Sequence, residues 1–319
     1  MSASIKKHIG LILGIIGLLS PLENVSAKYH ARLAYKHLHY VSVYGSVGYS
    51  TLLDDYYDMQ NIGNVGGMLG IGYEFQYKGF WFTTGLEAQI LTSASLFNIS
   101  GTDKQMLDSQ GKKMLYHYEF NRSYDTQSLL YGNIPLLLGY YFRGFYIGAG
   151  AKVGYCLYSR EMTDLTYTTS GTYDQYIEDF AQMANHGYST YYTNAHAPVE
   201  SGLKFSVIGE IGYDMFSWLR EYNHTKHLGL KFSAYVEYGL NNILTGTTDV
   251  PLYTINSANP TELILQPFYA SRAGNAHRVI PLYVGVKVAW SFCLRTRNCD
   301  CNIGENYRNF SVRRRNMLN

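Results

Sequence analysis

The sequence predicts an all-β chain whose eight antiparallel strands close into a transmembrane barrel. Three observations support this prediction. Eight segments alternate apolar and polar residues, their connections alternate between short and long, and acidic and basic residues are equal in number on the polar sides. A period of two residues is typical of strands with two unlike faces.

The composition agrees with a β-rich membrane protein. Charged residues make up 16% of the 319 residues, well below the roughly 25% of an average soluble domain. Aromatic residues reach 15%, with 32 Tyr and 31 Gly, which suits strands that carry aromatic bands. The formal net charge of +2 disfavours a nucleic-acid partner, because such proteins usually carry a strongly basic surface.

Residues 1–27 are predicted to form a cleaved secretory signal. Lys6 and Lys7 precede an apolar run from Ile9 to Leu19, and the small residues up to Ala27 form a cleavage site. The run is about 11 residues, which is shorter than the roughly 20 that a helix needs to span a bilayer. We therefore expect an exported chain whose mature form begins with a periplasmic segment, residues 28–39.

The eight alternating segments define the predicted barrel, residues 40–292. The last of them, "VIPLYVGVKVAWSF", places Val284, Val286 and Trp290 on one side and Lys287 on the other. At about 11 to 14 residues, these segments exceed the 5 to 6 usual for a soluble strand and suit a tilted strand that crosses a membrane. The segments are 40–50, 65–77, 80–91, 130–142, 145–157, 203–215, 227–240 and 279–292.

The connections predict which side of the membrane each strand end faces. Those at 78–79, 143–144 and 217–226 are short, whereas those at 54–64, 93–128, 159–202 and 241–278 are longer and predicted to be irregular loops. Short turns on one side and long loops on the other are typical of outer-membrane barrels, whose long loops face outward. We therefore expect the cell outer membrane as the location, with short periplasmic turns and long extracellular loops.

The polar sides of the segments predict a closed lumen. They carry four acids and four bases, and a charge enclosed in a barrel needs a partner because an unpaired buried charge is costly. The interior of a barrel of about eight strands is only wide enough to be filled by side chains, so wide-pore diffusion is not expected. The predicted lumen ion-pair residues are Glu74, Glu87, Lys152, Lys204, Glu210, Lys231, Glu237 and Lys287.

Aromatic residues cluster towards the ends of the segments that are joined by short turns. This distribution predicts an interfacial girdle at the level of the lipid headgroups. The predicted membrane-interface aromatics are Tyr73, Phe75, Tyr77, Phe80, Phe82, Tyr140, Phe142, Trp290 and Phe292.

Several stretches resemble the PorT-like outer-membrane β-barrel domain family, whose members are barrels of the size of OmpA and OmpX from Gram-negative bacteria. The resemblance covers about Tyr40 to Phe292 and is carried by "IPLLLGYYF" (Ile134–Phe142) and "GYEFQYKGFWFTTGLE" (Gly72–Glu87). The pattern Gly285-x-x-Val288-x-Trp290-x-Phe292 resembles the closing-strand signal read by the barrel-assembly machinery, although here a tail follows it. The family includes accessory proteins of a secretion and surface-maturation system, and the resemblance assigns no functional residue.

No constellation of catalytic residues is found in the sequence. An enzymatic barrel needs a nucleophile and a base together, yet no segment carries a His and a Ser in its middle. His117, His186 and His196 fall in predicted loops, and the last two lack the Cys or carboxylate spacing of a metal site. We therefore expect no enzyme, no cofactor and no metal.

Residues 293–319 are predicted to form a basic periplasmic tail that contains three of the four cysteines. In an oxidising compartment one disulfide, such as Cys293–Cys299, is expected, with one thiol left over. Cys156 is expected to point into the lumen as a small apolar filler.

The sequence thus favours a non-enzymatic outer-membrane protein that acts through surface loops or the tail, in binding, adhesion, secretion or envelope assembly. The Tyr-, Ser- and Thr-rich stretches 164–180 and 189–198 are candidate binding loops. The expected partners are outer-membrane lipids, the barrel-assembly machinery during biogenesis, and a protein at the extracellular loops or the tail. A narrow channel for small solutes is the alternative, and a lipid-modifying enzyme is a third, less favoured reading.

Overall fold

A computed structural model describes residues 38–54, 59–77, 79–107, 111, 113–142, 144–172, 189–215, 228–245, 250–256, 259, 261–272 and 278–294. The predicted signal, the segment up to residue 37 and the tail from residue 295 lie outside these residues. The described part contains no helix that is both long and apolar enough to cross a membrane.

Thirteen strands and one short helix make up the described part of the chain. Eight long strands form the barrel: β1 (Leu38–Asp54), β3 (Asn64–Tyr77), β4 (Phe80–Phe97), β6 (Lys113–Phe142), β7 (Phe145–Thr172), β9 (Leu203–Asp214), β10 (Leu228–Gly239) and β13 (Val279–Cys293). Four other strands and the helix lie at one end: β2 (Met59–Asn61), β5 (Thr102–Leu107), β11 (Tyr253–Ile255), β12 (Leu263–Leu265) and α1 (Phe268–Arg272). β8 (Ser189–Ala197) lies at that end as well.

The eight long strands form a closed antiparallel ring, which confirms the predicted fold class. Each pairs with its neighbours in the order β4, β3, β1, β13, β10, β9, β7, β6, and β6 pairs back to β4. The first and last strands close the ring, with Val41 opposite Phe292 and Val47 opposite Val286. Closure leaves the ring without a free strand edge, which a spanning structure requires because lipid offers no hydrogen-bond partner.

The ring has an apolar outer surface and a polar interior. Outward side chains are large and exposed, for example Leu69 at 72% and Leu138 at 66% of their surface, whereas inward neighbours such as Glu87 and Lys152 are buried. An uninterrupted apolar surface around a closed ring is stable only against lipid. The stretches of the eight strands that carry this belt are therefore the membrane-spanning segments.

Two of the predicted short turns depend on glycine. Gly79 joins β3 to β4 and Gly144 joins β6 to β7, with φ angles of 90° and 88°. L residues with side chains rarely adopt this backbone region, whereas glycine does so without a steric cost. The tight turns predicted at 78–79 and 143–144 therefore hold, while the third short connection, 217–226, lies outside the described residues.

The prediction of irregular loops at 93–128 and 159–202 is wrong, and the connections at 54–64 and 241–278 also contain strands, namely β2, β11 and β12. β6 has 30 residues and β7 has 28, so both continue far beyond the belt, where they pair with each other up to Leu115 and Thr172. β5 and β8 add to the two sides of this pair. We call the sheet formed by β5, β8 and the parts of β6 and β7 beyond the belt the extracellular extension.

The sequence pattern changes where the strands leave the membrane. In the extension the inward positions of β6 are aromatic, as at Tyr116 and Tyr118, while outward positions such as His117 and Glu119 are polar. Register shifts between Phe120 and Arg122 and opposite Leu157 exchange the inward and outward positions. The large side chains therefore point inward here because the outer face meets water instead of lipid.

The connection between β10 and β13 folds into the outer mouth of the barrel. The β11–β12 hairpin and α1 pack against the inner face of the extension and the outer end of β4, where Phe97 contacts Phe268 with ring centroids 4.8 Å apart. Phe120 lies 5.0 Å from Tyr253 in the same way. We call β11, β12 and α1 together the cap.

Candidate functional site

The outer half of the lumen contains a network of two acids and two lysines. Lys152 Nζ lies 2.5 Å from Glu87 Oε1 and 2.8 Å from Glu237 Oε2. Lys204 Nζ lies 2.7 Å from Glu237 Oε1 and 2.7 Å from Gln89 Oε1. The five side chains come from β4, β7, β9 and β10, so the network crosses the lumen and ties opposite walls together.

Two amides complete this layer, and neither was among the predicted site residues. Gln89 Nε2 donates to Glu237 Oε2 at 2.9 Å, and Asn133 Nδ2 donates to Glu87 Oε1 at 3.2 Å and to Gln89 Oε1 at 3.0 Å. Gln89 and Asn133 are inward residues of β4 and β6, so only their strand parity could have located them.

The periplasmic half of the lumen contains two separate ion pairs. Lys231 Nζ lies 2.5 Å from Glu74 Oε2, and Lys287 Nζ lies 2.8 Å from Glu210 Oε2. Tyr146 donates its hydroxyl to Glu210 at 2.9 Å. The structure thus brings all eight predicted lumen charges into ion pairs within hydrogen-bonding distance.

The lumen has almost no free volume at this level. A cavity of about 20 Å³ lies between the two periplasmic ion pairs, which is room for about one water molecule. The side chains of Tyr131 and Tyr235 are fully buried above it, and Lys204 lies 4.7 Å from the ring centroid of Tyr131. This filling matches an eight-stranded barrel, whose interior is taken up by side chains.

The predicted interfacial aromatics all point away from the lumen near the short-turn end. Phe80 and Tyr140 make an edge contact with centroids 5.1 Å apart, and Trp290 stacks on Phe292 at 6.1 Å. Exposure is highest for Phe80 and Phe142, at 64% and 60%. Tyr73, Phe75, Tyr77 and Phe82 occupy equivalent outward positions on β3 and β4.

The cysteine predictions are only partly within the described residues. Cys293 is the last residue of β13 and half-buried, but Cys299 lies outside the described part, so the disulfide stays a prediction. Cys156 is half-buried and packs against the interior cluster, on the inward side where it was expected.

The cap is held by polar side chains of the extension. Glu161 Oε1 accepts a hydrogen bond from the Tyr269 amide at 2.6 Å, and Thr163 Oγ1 accepts one from the Phe268 amide at 3.0 Å. Thr163 in turn donates to Asp125 Oδ1 at 2.5 Å. Asp125 and Glu161 are fully buried, so the start of α1 is fixed by side chains that water does not reach.

Burial raises the pKa of Asp125 from its ordinary 3.8 to about 7, although hydrogen bonds from Thr163 and Gln127 lower it. The charge of Asp164 raises this pKa further, and a hydrogen bond with Glu161 lowers it. Asp125 lies above the apolar belt, opposite Ser95 of β4 and Thr163 of β7. Asp125 on β6 is therefore a carboxyl group beneath the cap whose pKa lies near neutral pH.

A second polar cluster lies on the outer face of the extension. His117 Nδ1 lies 2.8 Å from Asp103 Oδ1, and its Nε2 lies 2.9 Å from Thr172 Oγ1. These contacts link β5, β6 and β7 side by side. The sequence placed His117 in a solvated loop, whereas it lies on a strand with two polar partners.

The candidate metal residues and the predicted binding loops lie only partly within the described residues. Within the described part of the chain, no group of three His, Cys, Asp or Glu residues is able to hold a metal. His196 is exposed on β8, and His186 lies outside the described part. The predicted binding loops at 164–180 and 189–198 are strands over 164–172 and 189–197.

The chain has only weak similarity to known proteins. No protein-family model and no curated protein sequence matches it. Neisserial surface protein A is 9% identical over 79% of this chain and 95% of that chain, with a TM-score of 0.29. The attachment invasion locus protein Ail of Yersinia pestis, in complex with the heparin analogue sucrose octasulfate, is 7% identical over 79% and 98%, with a TM-score of 0.25.

The translocator domain of the autotransporter NalP from Neisseria meningitidis is 6% identical over 81% of this chain and 88% of that chain, with a TM-score of 0.20. All three are outer-membrane proteins. At these TM-scores the likenesses carry no argument, so the description of the site rests on its own geometry.

The lumen network predicts a large penalty for removing one charge. Lys152→Met leaves Glu87 without its lysine partner in the barrel interior, and breaking a buried pair costs about 3 to 5 kcal/mol. Urea unfolding in lipid vesicles should show this loss, whereas Lys113→Met on the exposed end of β6 should stay within about 0.5 kcal/mol of the parent. Equal effects of the two substitutions would contradict the buried network.

The raised pKa of Asp125 predicts that the cap loosens as the pH rises. Because folding raises the pKa of Asp125, the folded state holds the Asp125 proton more tightly than the unfolded state does. The stability of the folded cap therefore falls between about pH 4 and 7 and is constant above pH 7. Protection factors of the Phe268 and Tyr269 amides should therefore fall over this range. They should be flat in Asp125→Asn, and an unchanged pH profile in that variant would contradict the assignment.

Proposed function

We propose that this protein is a non-enzymatic outer-membrane barrel with a closed lumen, which acts by binding a partner through its extracellular extension, in adhesion or as an accessory of secretion or envelope assembly. The N-terminal signal would export it, and the barrel-assembly machinery would insert it. Its apolar belt would contact outer-membrane lipids directly.

The filled lumen is the observation that carries this proposal. Glu87, Lys152, Lys204 and Glu237 lie side by side across the barrel, and a solute could pass only if these pairs separated. Separating a buried ion pair is strongly unfavourable because it leaves charges without compensation. The molecule therefore offers its outer and periplasmic surfaces for function.

The size and order of the extension support the extracellular side as the acting surface. β6 and β7 pair over residues 115–130 and 158–172 beyond the belt, and β5 and β8 widen the sheet. Binding sites are commonly carried by segments held on a rigid scaffold. An ordered sheet loses less conformational entropy on binding than a loop that must first become ordered.

Membership of the PorT-like barrels is part of the proposal. The motifs at 134–142 and 72–87 and the regular spacing of the strands support this membership. No family model matches the chain. A periplasmic role of the tail, residues 293–319, is the competing site within the same proposal.

The closed lumen predicts that the mature protein conducts no ions. In planar lipid bilayers, purified protein should give no regular conductance steps, whereas Glu87→Ala/Lys152→Ala should produce small steps because it removes side chains that fill the lumen. Regular steps from the parent chain would establish the narrow channel and overturn the proposal.

A binding partner captured from detergent-extracted outer membranes should also be retained when residues 293–319 are removed.

A further inference from the structure

The extension has one long unpaired edge. β8 pairs with residues 161–169 of β7 along one side, and among the described residues no strand pairs with its other side. In an antiparallel ladder, the backbone groups of alternate residues point to each side. Alternate amides and carbonyls along Ser189–Ala197 therefore face outward from this edge.

In the barrel, β9 lies beside β7 and β10 lies beside β9. In the extension, β8 takes the place beside β7, and the place beside β8 corresponds to that of β10. Past the end of β10, Thr245 N donates to Glu200 O at 2.9 Å and Gly202 N donates to Ile243 O at 3.0 Å, so the chain still follows the strand beside it. By residue 250 the chain has turned into the cap, where Val250 N donates to Ser271 O at 3.2 Å. Among the described residues no strand follows this path beside β8, and the chain from residue 250 belongs to the cap.

The residues of β8 do not protect this edge. Its sequence, STYYTNAHA, contains no Asp, Glu, Lys or Arg and no Pro or Gly. Natural edge strands are usually short, charged or interrupted by proline, because an unprotected edge pairs with other chains. β5, the edge strand on the other side, carries Asp103 and Lys104 and has only six residues.

A second copy in the same membrane cannot fill this position. Antiparallel pairing of two β8 strands needs a two-fold axis perpendicular to the sheet. The extension continues the barrel wall, so that axis lies near the membrane plane and would invert one barrel. Parallel pairing places the axis along the strand, which in such barrels is tilted by roughly 35° to 45° from the membrane normal, so the second barrel would not stand upright.

We propose that the free edge of β8 binds an extended segment of a different protein, which adds to the extension as an antiparallel strand. Main-chain hydrogen bonds supply the affinity in this mode of recognition, and alternate side chains supply the selectivity. Tyr192 and Asn194 border the segment on the outer face, and Tyr191 and Ala195 on the inner face. The expected segment is therefore uncharged and rich in residues that favour strands.

The inference rests on the proposed function because it places the partner outside the cell, but it is tested on purified protein in detergent micelles, where the barrel's location has no influence. The probe is a ten-residue peptide of alternating threonine and valine. The control peptide has proline in place of each valine and cannot donate the same backbone hydrogen bonds. Hydrogen exchange of the full mature chain is measured with and without each peptide.

The proposal predicts that outward amides of β8 exchange rapidly in the free protein and about tenfold more slowly with the threonine–valine peptide. The control peptide should have no effect, and β5 amides should not change with either peptide. Slow exchange of every β8 amide in the free protein would overturn the proposal, because the edge would already be paired. Absence of added protection at millimolar peptide, or equal protection in β5, would overturn it as well.

Proline substitutions at successive positions of β8 test whether the effect alternates from one residue to the next. Among Tyr191→Pro, Tyr192→Pro and Thr193→Pro, only positions whose amide points outward should lose at least tenfold in peptide affinity while keeping the melting temperature within a few degrees. The others should lower the melting temperature by breaking the pairing with β7. Equal behaviour at all three positions would contradict a strand-binding edge.

Discussion

Compensation of charge inside a closed ring is the constraint on which the rest of the structure depends. Once eight strands close, one face of each strand is removed from both water and lipid. Any charge on that face must then be neutralised by a neighbour, and Lys152 bridges Glu87 and Glu237 from a third strand. The network stabilises the ring only while it is complete, because the loss of one member leaves another charge buried and unpaired.

In the proposed function, the same constraint leaves the outside of the molecule as the acting surface. The lumen is filled by paired charges and tyrosine rings, and the cavity between the periplasmic ion pairs has room for about one water molecule. The long strands β6 and β7, in contrast, carry the sheet well beyond the membrane. The cap fills the mouth from above, and Glu161 and Thr163 hold its backbone in place. The outer half of the protein is thus a folded unit with its own interior instead of a set of flexible loops.

The sequence predicted the membrane-spanning part well because one rule applies to it. Outward residues are apolar and inward residues are polar, so the eight charged positions and the tight turns at Gly79 and Gly144 could be located from parity alone. The rule reverses above the membrane, where Tyr116, Tyr118 and Tyr167 point inward while Thr166 and Thr168 lie on the outer face. Reading the long connections as loops missed five strands, β2, β5, β8, β11 and β12, and the extended parts of β4, β6 and β7.

Two further features lay beyond sequence reasoning. The register shifts near Phe120 and Leu157 change which residues face inward, and a single sequence gives no marker for them. Thr163, which donates to Asp125, is 38 residues away, and the Tyr269 amide, which donates to Glu161, is 108 residues away. The surroundings of both carboxylates therefore depend on how the cap folds. For this reason the polar cluster beneath the cap emerged only from the three-dimensional arrangement.

The most direct test of the account is the solvent that surrounds the outward side chains. Nitroxide labels placed one at a time at Leu69, Leu138 and Val207, in a chain with its four cysteines changed to serine, should collide readily with oxygen and barely with a water-soluble nickel chelate in lipid vesicles. A label at the inward Leu137 should collide with neither. Preferential contact of the outward labels with the nickel chelate would show that water surrounds the belt, and would contradict a membrane-spanning barrel.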